Sequence, residues 1–424
     1  MKTDFDVVIV GAGPAGSTAA ILLARAGWSV ALVEKQKFPR RKVCGECIAA
    51  SNLLLLDALG IGAAFNQAAG AQLRRVALMH GKHRVVADLP VAMHGQHPWG
   101  RALGRETLDT LLVAQASLAG AYVLQPWSVL RINGACGNWR CDVRDMDAGT
   151  LLTLRAKVLI DAHGSWESLP SLRIFRSQSH SSADLLAFKA NFRQAKLSKS
   201  LLPVLSFNGG YGGMVRADGG ITTLACCIRR DRLEACRRAF PGLNAGDVIE
   251  AMLKQQCAGV RAALQGATRE GAWLAAGPLN TGIHLREDDG IFRIGNAAGE
   301  AHPIIGEGMS MALQSAWLLC AQLLADDRQK NLSDVARQRE LGRIYAAQWR
   351  QAFAPRLRLA ALFAHVAMRP LLAKPMLALV QRWPRLMTWV AAWCGKTRCA
   401  ADPATIVMHN GFGERTMMAT QQRA

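Results

Sequence analysis

Acidic residues are scarce in this 424-residue chain. It holds 31 Asp and Glu against 51 Lys and Arg, which gives a net charge of +20. The stretch from residue 330 onward has 15 basic and 4 acidic residues, an excess of 11. Tryptophans and apolar residues are mixed into this stretch, and the chain carries no nucleic-acid-binding motif. We therefore expect no nucleic-acid partner and favour an anionic membrane surface, with a basic solvated helical surface as the alternative.

Long apolar runs are also missing. Residues 308–325 carry no charge, but four polar residues interrupt them, so this stretch predicts a buried helix and not a membrane span. The uncharged stretches beyond it are shorter still. Trp383, Trp389 and Trp393 lie among Arg382, Arg385 and Lys396, a pattern that resembles an interfacial anchor.

Signals for export and for disulfide bonds are absent as well. No apolar segment precedes the first predicted strand, so we expect no secretory signal. The 11 cysteines are an odd number scattered along the chain, which favours reduced thiols over a disulfide framework. These observations predict a cytoplasmic protein, with peripheral contact at the inner face of a membrane. They leave the oligomeric state open.

A glycine-rich turn near the N-terminus is the most informative stretch. Apolar residues 5–10 predict a buried strand, residues 17–26 a helix, and residues 29–33 a second strand that Glu34 closes. The turn between the first strand and the helix has the pattern G-x-G-x-x-G. An acidic residue follows its last glycine by 18 positions, the context of a dinucleotide-binding fingerprint. The turn consists of Gly11, Ala12, Gly13, Pro14, Ala15 and Gly16.

Each residue of this fingerprint has a physical role. Gly11 permits the tight turn, Gly13 lets the backbone approach a pyrophosphate, and Gly16 lets the helix pack closely on the strand. The N-terminus of the helix supplies N–H groups and positive potential. Glu34 would accept a hydrogen bond from a ribose hydroxyl.

The rest of the chain indicates a second sheet inserted into the nucleotide-binding domain. Residues 74–89 alternate like paired strands, residues 105–120 predict a helix, and residues 157–161 predict a strand that returns to the first sheet. Residues 185–229 are again strand-like. Their glycine-rich segment 207–213 predicts a flexible connection.

Three separated motifs match one template in the right order. They are the first turn with Glu34, then Arg105 with Asp109 and Leu112, and then residues 295–308. Together they resemble the FAD-binding set of the p-hydroxybenzoate hydroxylase superfamily. Residues 39–46 and 306–309 most resemble its geranylgeranyl reductase-like branch.

The resemblance implies an α/β fold. It has a Rossmann-type, GR2-like FAD-binding domain, an inserted β-sheet substrate domain and a helical C-terminal region. The expected limits are 1–75, 100–170 and 275–330 for the FAD-binding domain, 76–99 and 171–274 for the substrate domain, and 331–424 for the basic helical region. The residues implied to bind FAD are Gly11, Gly13, Pro14, Ala15, Gly16, Glu34, Lys35, Arg105, Asn296, Gly306, Glu307, Gly308 and Met309.

Two departures from the family pattern affect the site. Asn296 stands where an aspartate is usual, and its carbonyl oxygen can still accept a hydrogen bond, so we expect FAD to bind. His163 and Gly164 replace a common Asp-Gly pair, which places either a structural histidine or a titratable imidazole near the cofactor. The Trp-x-Trp-x-Ile-Pro signature of flavin halogenases is absent, which argues against a halogenase. No second G-x-G-x-x-G occurs, so NAD(P)H would dock transiently as the reductant.

Candidate catalytic residues each have two interpretations. Cys44 and Cys47 form a C-x-x-C that is either a dithiol relay or part of a flavin-side loop. Glu46 would deliver a proton or form a salt bridge, and His302 would line the active site or cap a turn. The H-x-x-H pairs at 80 and 83 and at 94 and 97 lack a third ligand, so we predict no metal site.

The expected activity is that of an FAD-dependent oxidoreductase. Analogy to the superfamily favours an NAD(P)H-using flavin monooxygenase that acts on an apolar aromatic or lipid-like substrate. The branch-level motifs favour the alternative, a geranylgeranyl reductase-like enzyme that saturates carbon–carbon double bonds of an isoprenoid or polyene. A non-catalytic, membrane-associated nucleotide-binding module is the third hypothesis. The substrate's identity and the choice between NADH and NADPH stay open.

Overall fold

The computed structural model describes residues 1–92, 96–165, 181–286, 288–325, 333–397 and 399–402. The strands are β1 (Asp4–Val10), β2 (Val30–Val33), β3 (Cys47–Ile48), β4 (Arg75–His80), β5 (His83–Asp88), β6 (Arg101–Ala102), β7 (Tyr122–Leu124), β8 (Trp127–Ala135), β9 (Asn138–Asp145), β10 (Leu151–Asp161), β11 (Leu185–Arg193), β12 (Leu201–Phe207), β13 (Gly210–Arg216), β14 (Thr222–Arg229), β15 (Thr268–Ala276), β16 (Gly282–Ile283), β17 (Phe292–Arg293) and β18 (Gly299–Glu300). The helices are α1 (Pro14–Arg25), α2 (Leu53–Ala58), α3 (Gly62–Ala68), α4 (Arg105–Leu118), α5 (Arg230–Ala239), α6 (Ala245–Gln256), α7 (Ala258–Ala263), α8 (Gly308–Leu324), α9 (Val335–Ala367), α10 (Pro370–Arg382) and α11 (Arg385–Ala391).

The first sheet has the order β7-β2-β1-β10-β9-β8, with β17 paired to β10. Strands β7, β2, β1 and β10 run parallel, whereas β8, β9 and β10 form an antiparallel meander. The central strands are almost entirely apolar because helices and the meander bury both of their faces. The carboxyl ends of β1 and β10 therefore meet at one edge, where the glycine turn begins.

Helix α1 starts earlier than the sequence predicted. It begins at Pro14 and not at residue 17, because proline has the backbone angle of a first helical turn and lacks the N–H that would stay unpaired there. The glycine turn thus leads directly into the helix N-terminus. The predicted α/β class is confirmed.

The second sheet has the order β15-β11-β14-β13-β12-β4-β5. Neighbouring strands are antiparallel except for β12 and β4. Helices α5 to α7, which the sequence did not predict, cover one face of this sheet. The limits that the sequence assigned to the domains stay a prediction.

The prediction of a flexible connection at residues 207–213 was wrong. Strand β12 ends at Phe207, and β13 begins only three residues later, at Gly210. The glycines serve close packing: a Cβ on Gly212 would lie 2.6 Å from the carbonyl oxygen of Ala225 on the neighbouring strand.

Between Val335 and Lys396 the described C-terminal region is mainly helical. Helix α9 packs on α8, and α10 turns back to place Leu377 and Val380 against Leu78 and Val85 of the second sheet. The predicted buried helix at 308–325 is confirmed as α8. No single described helix is long and apolar enough to cross a membrane; α9 and α10 meet that criterion only as a pair, bent by 105°.

Candidate active site

One cavity of about 590 Å³ runs from the glycine turn to the second sheet. Its wall includes the β1–α1 turn, the loop before β3, the segment before α8 and the inner faces of the second sheet and of α9 to α11. It therefore joins the predicted nucleotide site to a distant part of the fold.

The glycine turn has the geometry that its sequence predicts. Gly11 has φ +102°, and a Cβ there would lie 2.5 Å from the carbonyl oxygen of Ala162. A Cβ on Gly16 would lie 1.8 Å from the carbonyl oxygen of Gly11, whereas one on Gly13 would meet nothing closer than 3.7 Å. Gly13 thus leaves its side of the turn open. The carboxylate of Glu34 accepts a hydrogen bond from the Ala12 backbone N–H at 3.0 Å.

Three cations surround this end of the cavity. Arg105 donates to both oxygens of Asp109 at 2.7 Å, and Arg40 lies 3.6 Å from Glu34. Burial, together with Arg105 and Arg40, lowers the pKa of Lys42 to about 8. Three cations face only two carboxylates here, so the site has a positive surplus that suits a diphosphate.

The second end of the predicted cofactor site lies before α8. Gly306, with φ +61°, turns the chain into the helix, and Gly308 and Met309 lie on the cavity wall. Asn296 lines the wall and donates from Nδ2 to the Ser165 hydroxyl at 2.6 Å. Glu307, in contrast, is buried behind the wall.

Besides Glu307, two predicted cofactor-binding residues are not on the described cavity wall. Gly16 lies beneath the turn, where it allows close packing, and Lys35 is half-buried beyond Glu34. Pro14 and Ala15 do line the cavity.

The three predicted catalytic residues occupy different depths. Cys44 and Glu46 lie on the wall. His302 lies one layer behind it, with Nδ1 3.1 Å from the hydroxyl of Tyr211, which does line the cavity. The structure thus brings in Tyr211, which the sequence analysis missed because no local pattern marks a tyrosine in a strand.

Glu46 joins the loop before β3 to the second sheet through a buried polar network. Its backbone has φ +57°, and its carboxylate pairs with Lys189 and accepts from the Thr223 hydroxyl at 2.5 Å. Lys189 is 1% exposed and Glu46 3% exposed. This geometry favours the salt-bridge interpretation of Glu46 over that of a free proton donor.

The two cysteines of the C-x-x-C lie in different environments. Cys44 is half-buried and Cys47 is buried, and both are free thiols. Burial raises the pKa of Cys47, which keeps it a neutral thiol and a weak nucleophile. Cys44 remains as part of the loop on the cavity wall.

Two further titratable groups lie on the wall. His163 contacts the Asp161 carboxylate through Nδ1. Burial raises the pKa of Glu300 to about 7, against the opposing effects of Ser165, the Asn280 backbone N–H and Lys42.

The described histidines of the two H-x-x-H pairs contact other groups of the fold. His80 and His83 face each other across a hairpin, where His80 contacts the Ser206 carbonyl at 3.0 Å. His97 contacts Asp57 at 2.6 Å, and His94 lies outside the described residues. Within the described ranges, no group of three or more His, Cys, Asp or Glu residues could hold a metal ion.

Beyond the loop of Cys44 the wall becomes apolar. Neither the second sheet nor α9 to α11 places a charged side chain on the described wall. We call this part the apolar chamber. Its larger side chains are Val76, Leu78, Leu89, Phe188, Leu202, Val204, Met214, Phe363, Met376, Leu379, Val380, Leu386, Met387 and Val390.

Residues 4–335 match the FAD binding domain family, FAD_binding_3. The chain belongs to this family. The match includes the glycine turn, Arg105 and the segment before α8, and it confirms the sequence-based recognition of an FAD-dependent oxidoreductase. This FAD-binding protein is therefore an enzyme of the flavin-dependent class.

Three relatives show how far the similarity extends. Conditioned medium factor receptor 1 of Dictyostelium discoideum is 26% identical over 355 residues, 78% of this chain and 65% of the relative. Menaquinone reductase of Mycolicibacterium smegmatis is 49% identical over 61 residues, 14% and 15% of the two chains. Both matches span less than two thirds of the relative's own length. Digeranylgeranylglycerophospholipid reductase 1 of Methanococcoides burtonii is 24% identical over 379 residues, 83% of this chain and 81% of the relative.

Solved structures share the fold over the whole chain. The flavin-dependent brominase Bmp2 has a TM-score of 0.72 at 18% identity, with 100% of both chains covered. A geranylgeranyl bacteriochlorophyll reductase-like protein from Thermoplasma acidophilum has a TM-score of 0.67 at 17% identity, with 99% of both chains covered. These likenesses establish the architecture of the FAD-binding protein.

The residues present fit FAD. The turn excludes a Cβ at Gly11 and Gly16, and with the cationic surplus around Lys42 it suits the diphosphate. The buried carboxylate of Glu34 suits the ribose. The cavity then continues to the N-terminus of α8, whose N–H groups favour negative charge. Bound there, FAD supplies two-electron redox chemistry to the apolar chamber.

Proposed function

We propose that this enzyme uses FAD to saturate a carbon–carbon double bond in a long aliphatic substrate, such as an isoprenoid or polyene. The observation that carries the proposal is the apolar chamber, which is continuous with the cofactor site. The sequence relationship to a digeranylgeranylglycerophospholipid reductase over most of both chains supports it. NAD(P)H would reduce the flavin by transient docking.

The walls of the chamber favour an aliphatic substrate. They consist mainly of Val, Leu and Met side chains, which fit a flexible chain, and charged groups occur only toward the cofactor site. Burying each CH₂ of such a substrate would contribute about 0.8 kcal/mol. A charged aromatic acid would find no ionic partner in the described chamber.

Saturation needs a proton as well as a hydride, and a hydroxyl is available to deliver it. Tyr211 lines the cavity, and its oxygen accepts from Nδ1 of His302 when that ring carries its proton on Nδ1, which leaves the hydroxyl proton free for the substrate. Thr281 lies 3.4 Å from Nε2. The glycine turn and the start of α8 would hold FAD, which in its reduced form would supply the hydride for one alkene carbon. Tyr211 would give its proton to the other carbon, Nδ1–H of His302 would replace it, and Nε2 would take up a proton from the side of Thr281.

Monooxygenation is the second candidate. Analogy to the wider superfamily favours it. The apolar chamber suits this reaction too.

Product analysis with and without oxygen separates the two candidates. The holoenzyme is mixed with NADPH or NADH and a geranylgeranyl lipid, with oxygen excluded and in a parallel sample in air. The product masses are measured by mass spectrometry. We expect a product that has gained a pair of hydrogen atoms. A product that forms only in air and carries an added oxygen atom would overturn the reductase proposal in favour of the monooxygenase.

We further propose that α9 to α11 rest on an anionic membrane surface. Residues 341–401 hold ten Lys and Arg and no Asp or Glu. Trp383, Trp389 and Trp393 are 55%, 68% and 79% exposed on the same region, and Leu371 is 86% exposed. Exposed tryptophans within a basic surface complement anionic headgroups. Leu379 is partly exposed and also lines the chamber, so this surface lies beside the chamber wall.

Vesicle co-sedimentation tests this surface. The full chain should bind phosphatidylglycerol vesicles at low salt, and replacing the three tryptophans with serine should release it. Leu118→Ser is the matched control, since this residue is 81% exposed on α4, away from the basic region. Wild-type protein that stays in the supernatant would refute membrane docking.

A further inference from the structure

Lys396 reaches the cofactor site from a remote part of the chain. It ends a short π-helical turn, Ala392–Lys396, beyond the residues that match the FAD binding domain family. Its Nζ donates to the carbonyl oxygen of Gly306 at 3.1 Å and lies 2.9 Å from Oε1 of Glu307. The C-terminal region thus places a cation beside the turn that begins α8.

This lysine keeps its positive charge. Its side chain is 12% exposed, and burial opposes ionisation, but Glu307 together with the nearby Cys47 and Cys394 raises the pKa of Lys396 above its ordinary value. Burial also raises the pKa values of the nearby Cys47 and Cys394, so both thiols are neutral. Neither thiol offsets the ammonium charge.

The charges of this cluster lie at different distances from the cavity. Arg356 lies 3.8 Å from the other oxygen of Glu307. Lys396 lines the cavity together with Gly306 and Gly308, whereas the Glu307 carboxylate lies behind the wall at 0% exposure. The positive end of the ion pair therefore faces the cavity.

The N-terminus of α8 adds to this potential. Gly308 and Met309 form its first turn on the same wall, and the first N–H groups of a helix carry positive partial charge. A fixed ammonium and a helix N-terminus thus act on one part of the cavity. An anion that forms there is stabilised without any rearrangement of solvent.

We propose that Lys396 favours reduced over oxidised FAD by holding a fixed positive charge at this wall. The inference rests on FAD binding in this cavity and is independent of the substrate. Two-electron reduction adds electron density to the flavin ring, and a nearby cation lowers the free energy of the more negative state.

The midpoint potential of bound FAD tests this role. Lys396→Met should weaken the binding of reduced FAD about 10–100-fold relative to the binding of oxidised FAD. In a spectroscopic redox titration of the holoenzyme, the midpoint potential should therefore fall by about 30–60 mV for this two-electron couple. Lys396→Arg should retain most of the wild-type potential. Lys374→Met, which removes an exposed lysine on α10, is the matched control and should not shift it.

A double variant covers the case in which Lys396→Met fails to fold, because that change leaves a buried carboxylate short of a partner. Lys396→Met/Glu307→Gln should then have a lower potential than Glu307→Gln alone. The role of Lys396 would be overturned if Lys396→Met had the midpoint potential of the wild type, or if the double variant had that of Glu307→Gln. Lys396 would then be only a structural partner of Glu307. Wild-type protein that binds no FAD would instead overturn the cofactor assignment.

Discussion

Replacing Lys42 with methionine should have opposite effects on the apoprotein and on the FAD-bound protein. The pKa of Lys42 falls from 10.5 to about 8 in the folded chain, so its charged form is costly there. A shift of that size corresponds to about 3 kcal/mol when the group is ionised in both states. Lys42 is only half-buried, and water in the cavity reduces this value. We expect Lys42→Met to stabilise the apoprotein by about 1–3 kcal/mol at pH 7.

The sign of the effect fixes its pH dependence. The folded-state pKa lies below the unfolded value, so the cost is fully present below pH 8 and disappears as the pH rises toward 10.5. The advantage of the variant in urea unfolding should shrink over that window. In the holoenzyme the diphosphate compensates the charge, and Lys42→Met should raise the Kd for FAD about 10–100-fold. A variant apoprotein that is less stable than wild type at pH 7, or that binds FAD equally well, would refute this account of the cationic surplus.

Four further predictions test the same site. Gly16→Ala should unfold the turn or lower the free energy of unfolding by over about 3 kcal/mol, because its Cβ would lie 1.8 Å from a carbonyl oxygen. Gly13→Ala should fold normally and lose FAD affinity. Thermal melts and FAD titration compare the two variants. Glu300→Gln should stabilise the protein by about 1–3 kcal/mol at pH 8, and the gain should vanish as the pH falls through the folded-state pKa of about 7 toward 4.5; equal urea midpoints at pH 8 would contradict this. Lys189→Met should destabilise the fold by about 3–5 kcal/mol, because it leaves the buried Glu46 carboxylate without its cation. Lys189→Met/Glu46→Gln should recover part of this loss in the same unfolding assay. Tyr211→Phe should lower kcat about 10²-fold with an unchanged Kd for FAD, and unchanged turnover would exclude Tyr211 as the proton donor.

The FAD end of the site was predictable because its signal is local. The spacing of Gly11, Gly13 and Gly16 before a helix, with Glu34 after the next strand, encodes a turn whose conformation requires those residues. The order of the later motifs then identified the cofactor. The buried helix α8 was predictable for a similar reason, since its length and its interrupting polar residues lie in one stretch.

The rest of the site depends on contacts between distant segments. Tyr211, Lys189 and Lys396 reach the cavity from the second sheet and the C-terminal region, and no spacing in the sequence links them to the glycine turn. In the sequence, Lys396 belongs to the basic, tryptophan-bearing stretch that predicts a surface. Residues 207–213 were misread because glycines that allow close strand packing have the same composition as a flexible loop.

Anaerobic reoxidation of the reduced holoenzyme tests the central claim most directly. FAD is reduced with NADPH or NADH, oxygen is excluded, and the flavin absorbance is followed after addition of polyunsaturated isoprenoids of increasing chain length. The account predicts reoxidation that becomes faster as the chain fills the apolar chamber, and that slows when Met387→Trp narrows it. Flavin that stays reduced with every isoprenoid, and reoxidises only when oxygen is admitted, would contradict the claim.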